Sequence, residues 1–459
     1  MTQTSARHDR SSHPLVPSYS GSELAERAEL AVRAAHAAGA TAAQVSIGHS
    51  VGLSVEVRAR TLDRLEFERD QLATIVAYCG QRKAQTTTTD LSPGAIEETA
   101  RAAVSIARVV EEDPWAGLPE GDEYEREFPD LDLDHPWAID ADAAIALASE
   151  IEAFGLDSDS RVVNSEGASV STRHGFSVLA DSSGFVGLRS GTRHDLGCSL
   201  VARGAGGGME RDHAWCGARG ADALWSSEKL GREAAERACR RLDPRKVVTC
   251  EAPVVFVPEL AAGLIGTVLR ALGGGAQYRR ASFLLNALGE RLGPEWLTIF
   301  EDPRRKGGLS SSSFDSEGVA TRTQSFVESG RIVSYRLDSY SARRLKRKTT
   351  GNAGGARNVQ VSSNHHGGLD ALLAEVGRGL LVTELIGQGT NLMTGDYSRG
   401  ASGFWIENGQ IAYPVSEITI AGDMRDMLDR IVAIGDDHDP RLSTAVGSLW
   451  VERMTVAGD

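Results

Sequence analysis

Four residues in the first half of the chain have the types and spacing of a metal site. His194 and Cys198 stand as H-x3-C, fourteen residues follow, and His213 and Cys216 complete the set as H-x2-C. Neutral imidazole and thiolate are donors that tetrahedral zinc accepts, and gaps of this size suit it. The set works only if all four side chains converge, and the glycine-rich run at 204–208 reads as a flexible loop joining two strands. A second pattern, Gly48-His49-Ser50-Val51-Gly52, matches the G-x-S-x-G of serine hydrolases. That chemistry requires a strand, a sharp turn and a helix, so that the hydroxyl stands above an oxyanion hole. Here residues 53–59 read as another strand, and the motif is expected to be a hairpin turn. No HExxH, P-loop or dinucleotide fingerprint occurs.

The elements that would carry these residues follow from periodicity and punctuation. A helix is expected over 22–38, then strands over 44–47, 53–59, 64–69, 72–78 and 83–89. Ser92 and Pro93 look like the N-cap and first residue of a second helix. After an acidic connection at 120–136, the order of helix, strands, helix recurs up to about residue 241. A linker at 243–246 precedes a short apolar strand, and a helix runs from Pro258 to about Leu272, where three glycines stop it. Two hairpins turn at Ser329-Gly330 and Asn408-Gly409. The expected fold is α+β, with a leader at 1–20 lacking order, an N-terminal domain of helix and strand layers at 21–245, and a C-terminal domain at 246–459 built mainly on antiparallel sheet.

The chain has 459 residues, 41% of them hydrophobic, and a formal charge of −14. That balance favours a globular interior and disfavours nucleic acid or anionic membrane as partners. No apolar run is long enough to span a bilayer. The five cysteines are scattered, with no CxxC, which suits a reducing compartment and a cytoplasmic location. One basic run, Arg343 to Lys348, stands against the overall acidity.

From Val254 onward the sequence resembles the TldD/PmbA family, in particular its TldE branch. The resemblance rests on Tyr278-Arg279-Arg280-Ala281-Ser282-Phe283-Leu284, Phe314-Asp315-Ser316-Glu317-Gly318-Val319 and Thr350-Gly351-Asn352-Ala353-Gly354-Gly355. Its most specific stretch runs from Thr394 through Tyr397-Ser398-Arg399 to Trp405, followed by Tyr413-Pro414-Val415-Ser416-Glu417. Weaker similarity reaches back to the first helix. The resemblance implies one subunit of a heterodimeric zinc metalloprotease that acts on small or unfolded peptides, in the processing of peptide-antibiotic precursors and the degradation of antitoxins. In that family the TldD-type subunit carries HExxxH on a helix and a cysteine near its C-terminus. Here Pro258 and Gly263 stand where the two histidines would be, Glu259 remains, and no cysteine follows Cys250. A zinc site takes at least three protein ligands, so this chain is expected to be the non-catalytic subunit, with no metal of its own and zinc in the TldD-type partner. Arg343, Tyr397, Ser398 and Arg399 are the candidates for peptide or partner contact. Two alternatives are a metallopeptidase using His194, Cys198, His213 and Cys216, and a regulatory peptide-binding protein.

Overall fold

The structure is a computed structural model, and residues 15–458 are described. The leader expected at 1–20 falls outside them for residues 1–14. Within the remainder, the Ser18 backbone N–H donates to the His49 ring at 3.1 Å, and Ser20 caps the first helix in a capping box with Glu23.

The N-terminal half is built from α1 (Gly21–Ala37), β1 (Ala42–Arg58), β2 (Thr61–Cys79), β3 (Arg82–Thr88), α2 (Pro93–Ala107), α3 (Ala141–Leu156), β4 (Val162–Asp181), β5 (Val186–Arg203), β6 (Met209–Ala218) and α4 (Ser227–Arg240). The six strands form one sheet in the order β3-β2-β1-β4-β5-β6, with β1 and β4 antiparallel at its centre. Helix, three strands, helix thus occurs twice, and the strand order mirrors itself about the β1–β4 pair. Every second residue from Ala43 to Val57 is buried, the period-two pattern of a strand with one covered face. Leu24, Ala28, Ala31 and Ala35 of α1 and Ile96, Ala100 and Val104 of α2 pack on that face beside Val45, Ile47 and Ile75. A fully buried leucine or isoleucine in such a layer contributes about 1.5–3 kcal/mol.

Two strands are far longer than the sequence suggests, and this corrects the reading of G-x-S-x-G as a turn. Residues 48–52 lie inside β1, paired on one side with 68–72 of β2 and on the other with 173–177 of β4. Gly52 is needed for close approach, since a Cβ there would meet the Thr172 carbonyl oxygen at 2.8 Å. The chain actually reverses at Ala59 and Arg60, both with positive φ (50° and 63°) and neither a customary turn residue. The buried carboxylate of Glu152 on α3 holds them, accepting their backbone N–H groups at 2.8 and 2.6 Å.

The C-terminal half continues with β7 (Cys250–Phe256), α5 (Pro258–Ala271), α6 (Gly274–Tyr278), β8 (Ile299–Glu301), β9 (Gln324–Glu328), β10 (Arg331–Ile332), α7 (Ser339–Arg344), β11 (Val359–Val361), α8 (Gly368–Val376), β12 (Gly379–Ile386), β13 (Asp396–Glu407), β14 (Gln410–Asp423), α9 (Met424–Asp429), β15 (Ile431–Ile434), β16 (Thr444–Ala445) and β17 (Leu449–Ala457). Its larger sheet runs β14-β13-β12-β7-β17-β15, and a further pairing of β14 with β17 closes five of these strands into a barrel. Only the β7–β12 pair in it is parallel. Val254 and Phe256 point to the core shared with Leu264, Ile265 and Val268 of α5, while Val255 joins Leu372 and Leu373 of α8. Both expected hairpins occur, with Ser329-Gly330 (φ 48° and 71°) and Asn408-Gly409 (54° and 74°) in the left-handed region. The three glycines after α5 do stop it, and Gly273 then caps the short α6.

The chain divides into two compact units. One comprises residues up to Tyr124 with Asp132–Leu200 and Asp212–Ala235, and the other Glu125–Leu131, Val201–Arg211 and Glu236–Asp459. The division is interleaved, so the tip of the β5–β6 hairpin and the end of α4 group with the C-terminal unit and not with the sequence that flanks them.

Candidate functional site

The four residues with zinc-like spacing are placed apart by strand geometry. His194 and Cys198 sit on the covered face of β5, and Cys216 on the covered face of β6. His213 is three residues from Cys216 on the same strand, which puts it on the opposite, exposed face. His194 is fully buried with both ring nitrogens engaged. Its Nδ1 lies 2.8 Å from the Thr172 hydroxyl and its Nε2 3.0 Å from the His135 carbonyl oxygen, with Trp137 edge-on to the ring. Nε2 therefore carries the proton and Nδ1 accepts, and burial lowers the pKa, keeping the imidazole neutral. Burial pushes the Cys198 thiol up to about 12, so in the metal-free chain it stays protonated. The Cys216 sulfur accepts from the Trp225 N–H at 3.4 Å. His49 and Ser50 likewise share no site. His49 donates from Nδ1 to the Asp70 carbonyl oxygen, and the Ser50 hydroxyl accepts from Arg173.

The helix at which the resemblance to the TldD/PmbA family would place metal ligands is α5. Pro258 occupies its first turn after Val257, where a missing N–H costs nothing. Glu259 forms ion pairs with Arg441 at 3.1 Å and Arg237 at 3.7 Å. The Arg441 guanidinium is itself gripped by Asp439, whose oxygens accept from its Nε at 2.8 and 2.9 Å. Gly263 presents no side chain, and a Cβ built there would meet nothing within 4 Å. These residues do not fit a zinc ion: two of the three offer no donor atom, and the third is committed to two guanidiniums. No group of three or more His, Cys, Asp or Glu among the described residues is arranged to hold a metal.

What α5 does form is the wall of a cavity of about 360 Å³. Glu259, Gly263 and Thr267 stand one turn apart along the helix, with Arg270 continuing the stripe, and all four line it. The opposite wall is Gln388, Gly389 and Thr390 of the β12–β13 loop together with Tyr397 and Arg399 of β13. The loop is fixed on β13 by the Ser398 N–H donating to the Gly389 carbonyl at 2.8 Å. Gly389 admits no substitute, because a Cβ would fall 1.7 Å from the Ser398 carbonyl oxygen. Tyr397 is 3% exposed, and burial pushes its hydroxyl up to about 12, so it remains a donor. Arg399 donates from Nη2 to the Gly387 carbonyl at 2.7 Å.

Of the candidates read from sequence, Glu259, Gly263, Tyr397 and Arg399 come together around one cavity. Ser398 alternates to the other side of β13, Pro258 and Arg343 are not part of the wall, and the His194 set is elsewhere. Arg343 begins the basic segment at the end of α7, where the Arg344 guanidinium lies 4.7 Å from the Tyr278 ring and that ring meets Tyr340 edge-on. Sequence reasoning missed Thr267, Arg270 and Gln388. The first two were open to it, because they extend the Glu259–Gly263 stripe at helical spacing.

Family models described as the PmbA/TldA metallopeptidase domain 1, central domain and C-terminal domain match residues 43–107, 134–242 and 249–458. The metalloprotease PmbA of Escherichia coli O157:H7 is 43% identical over 418 residues, covering 91% of this chain and 92% of its own length. A crystal structure of a proposed modulator of DNA gyrase from Bacteroides thetaiotaomicron superposes with a TM-score of 0.89 at 28% identity, covering 95% of this chain and 98% of that one. The crystal structure of TldE from Thermococcus kodakarensis has a TM-score of 0.82 with 94% of this chain and 100% of its own covered, and at 20% identity the likeness is one of fold. On the strength of an identity and a coverage that extend through both halves of the molecule, the chain belongs to the PmbA/TldD metallopeptidase family.

Proposed function

We propose that this protein is the non-catalytic subunit of a cytoplasmic heterodimeric peptidase, paired with a TldD-type subunit that supplies the zinc and the general base. The observation that carries this reading is the state of α5. Where a metal-binding helix needs two histidines flanking a free glutamate, this one has Pro258, a glutamate held by Arg441 and Arg237, and Gly263. Zinc chemistry needs an open, water-bearing position on a metal held by three ligands, and this helix offers no such set. In this reading the α5 cavity and the exposed backbone near it hold an extended peptide, and small or unfolded peptides are the substrates. The cytoplasmic assignment is supported by five cysteines that form no disulfide with one another.

The deciding experiment is reconstitution. This chain purified alone should carry less than about a tenth of an equivalent of zinc and cleave no peptide. Mixed with a relative that retains HExxxH, it should support cleavage that a chelator abolishes. Chelator-sensitive peptidase activity from this chain alone would overturn the reading.

A further inference from the structure

The α5 cavity contains an unanswered set of hydrogen-bond donors. The Tyr397 hydroxyl and the Arg399 Nε are both buried, and neither has a hydrogen-bond partner among the described residues. They sit two residues apart on β13, hence on one side of the strand, and both residues line the cavity. A buried donor left without an acceptor is costly, and two such donors in the wall of one cavity call for an acceptor that enters it. The charge around them narrows its identity. Arg270 and Arg399 face the cavity, and the single carboxylate there, Glu259, is already matched by Arg441 and Arg237. The cavity therefore favours an anion over a neutral carbonyl group. Its size narrows the identity further. At about 360 Å³ it exceeds one carboxylate and suits a segment of two or three residues, with Leu260, Leu264 and Leu392 available to apolar side chains.

We propose that this cavity is a carboxylate-recognition site for short peptides, in which the Tyr397 hydroxyl and the Arg399 guanidinium donate to the carboxylate and Arg270 adds positive charge. This rests on the reading of the chain as the peptide-holding subunit, and it assigns to the position of the lost metal helix a binding role that needs no metal. The planar fork of Arg399 can give Nε to a ligand while its Nη2 keeps the Gly387 carbonyl, and because the Tyr397 hydroxyl and the Arg399 Nε are both covered, docking requires the side chains that cover them to move aside.

The test is calorimetric titration of the full chain at neutral pH with three probes: N-acetyl-trialanine with a free C-terminal carboxylate, the same peptide as its C-terminal amide, and N-acetyl-Ala-Asp-Ala amide. The free acid is expected to bind at least about tenfold more tightly than the trialanine amide. Rescue of binding in the Asp-containing amide would assign the carboxylate to an acidic side chain, and its failure to bind would assign it to the peptide C-terminus. Either result supports the site. Tyr397→Phe and Arg399→Gln should each erase most of the difference between acid and amide, at an unchanged unfolding temperature, while Arg399→Lys retains part of it. Equal binding of acid and amide, no binding of any probe at about 10 mM, or full discrimination by Arg399→Gln would each overturn the proposal. Peptide cleavage is not read in this experiment. A chain that discriminates acid from amide but never supports cleavage with a HExxxH-bearing partner would therefore refute the subunit reading alone, and the converse would refute only the carboxylate site.

Discussion

Glu152 is completely buried in α3, and no cation lies within ion-pairing distance of it among the described residues. Its oxygens are instead occupied by the backbone N–H groups of Ala59 and Arg60, the two residues that carry positive φ at the β1–β2 turn. A left-handed conformation at a residue other than glycine costs roughly 1 kcal/mol, and two charge-assisted hydrogen bonds offset it here. Glu152→Ala is therefore expected to lower stability by about 2–4 kcal/mol, read as a shift in the urea unfolding midpoint at an unchanged slope. Glu152→Gln should fall between, because one of its terminal groups would face an N–H with another donor. Equal stability of all three proteins would mean that the turn holds itself. Glu259 is the contrasting case: a carboxylate at a helix start whose partners are the guanidiniums of Arg441 and Arg237.

Glycines separate the elements that are crowded from those that are kept open. On β13, a Cβ at Gly403 would lie 1.9 Å from the Leu381 carbonyl oxygen of β12, so Gly403→Ala must force the two barrel strands apart. A loss of about 2 kcal/mol or more is expected. Gly263 is different, for it lies inside α5, in ordinary helical conformation, with nothing near it. Glycine at such a position costs about 0.5–1 kcal/mol relative to alanine, and no packing contact requires it. Gly263→Ala should accordingly raise stability by about that amount in thermal or urea unfolding. A destabilised Gly263→Ala would show that α5 is crowded at this point and that the cavity wall is drawn wrongly. The stabilising outcome is consistent with a glycine retained to keep the cavity open.

At the scale of the whole molecule, the C-terminal unit is organised around buried carboxylates. Glu301 accepts from Asn352, Gln324 and the Arg357 N–H, all at 2.7 Å. Asp315 accepts backbone N–H groups from Glu317, Val319 and Ala353. The Thr350–Gly355 stretch is thus part of a scaffold that satisfies two interior acids. Burial raises the pKa of both despite these bonds, and raises that of Glu317 to about 6. The folded protein then holds the Glu317 proton in a range where the unfolded chain releases it. Its stabilising contribution is complete below about pH 4.5 and is lost as pH rises through about 6. Across that window the parent should lose about 1–2 kcal/mol more stability than Glu317→Gln, which cannot ionise. Unfolding curves taken between pH 4.5 and 7.5 decide it, and parallel losses in both proteins would place the Glu317 carboxyl in water.

Local sequence was sufficient for anything fixed by a few neighbouring residues. The helices α1, α3 and α5, the Ser329-Gly330 and Asn408-Gly409 turns and the repeat of helix, strands, helix follow from periodicity and turn chemistry. That Pro258 and Gly263 carry no side-chain donor atom is likewise legible in the residue types. The lengths of β1 and β2 did not follow, since the glycines at 48 and 52 look like turn signals, whereas both lie inside β1 and Gly52 answers the approach of β4 from about 120 residues away. The real turn was hidden for the same reason, its strain being met by Glu152 on another element. The cavity was equally invisible: Tyr397 and Arg399 could be picked out as candidates, but only the closed barrel brings them opposite α5, more than 120 residues earlier in the chain. Residue types declare which chemistry is available, whereas convergence depends on long-range packing that no local pattern encodes.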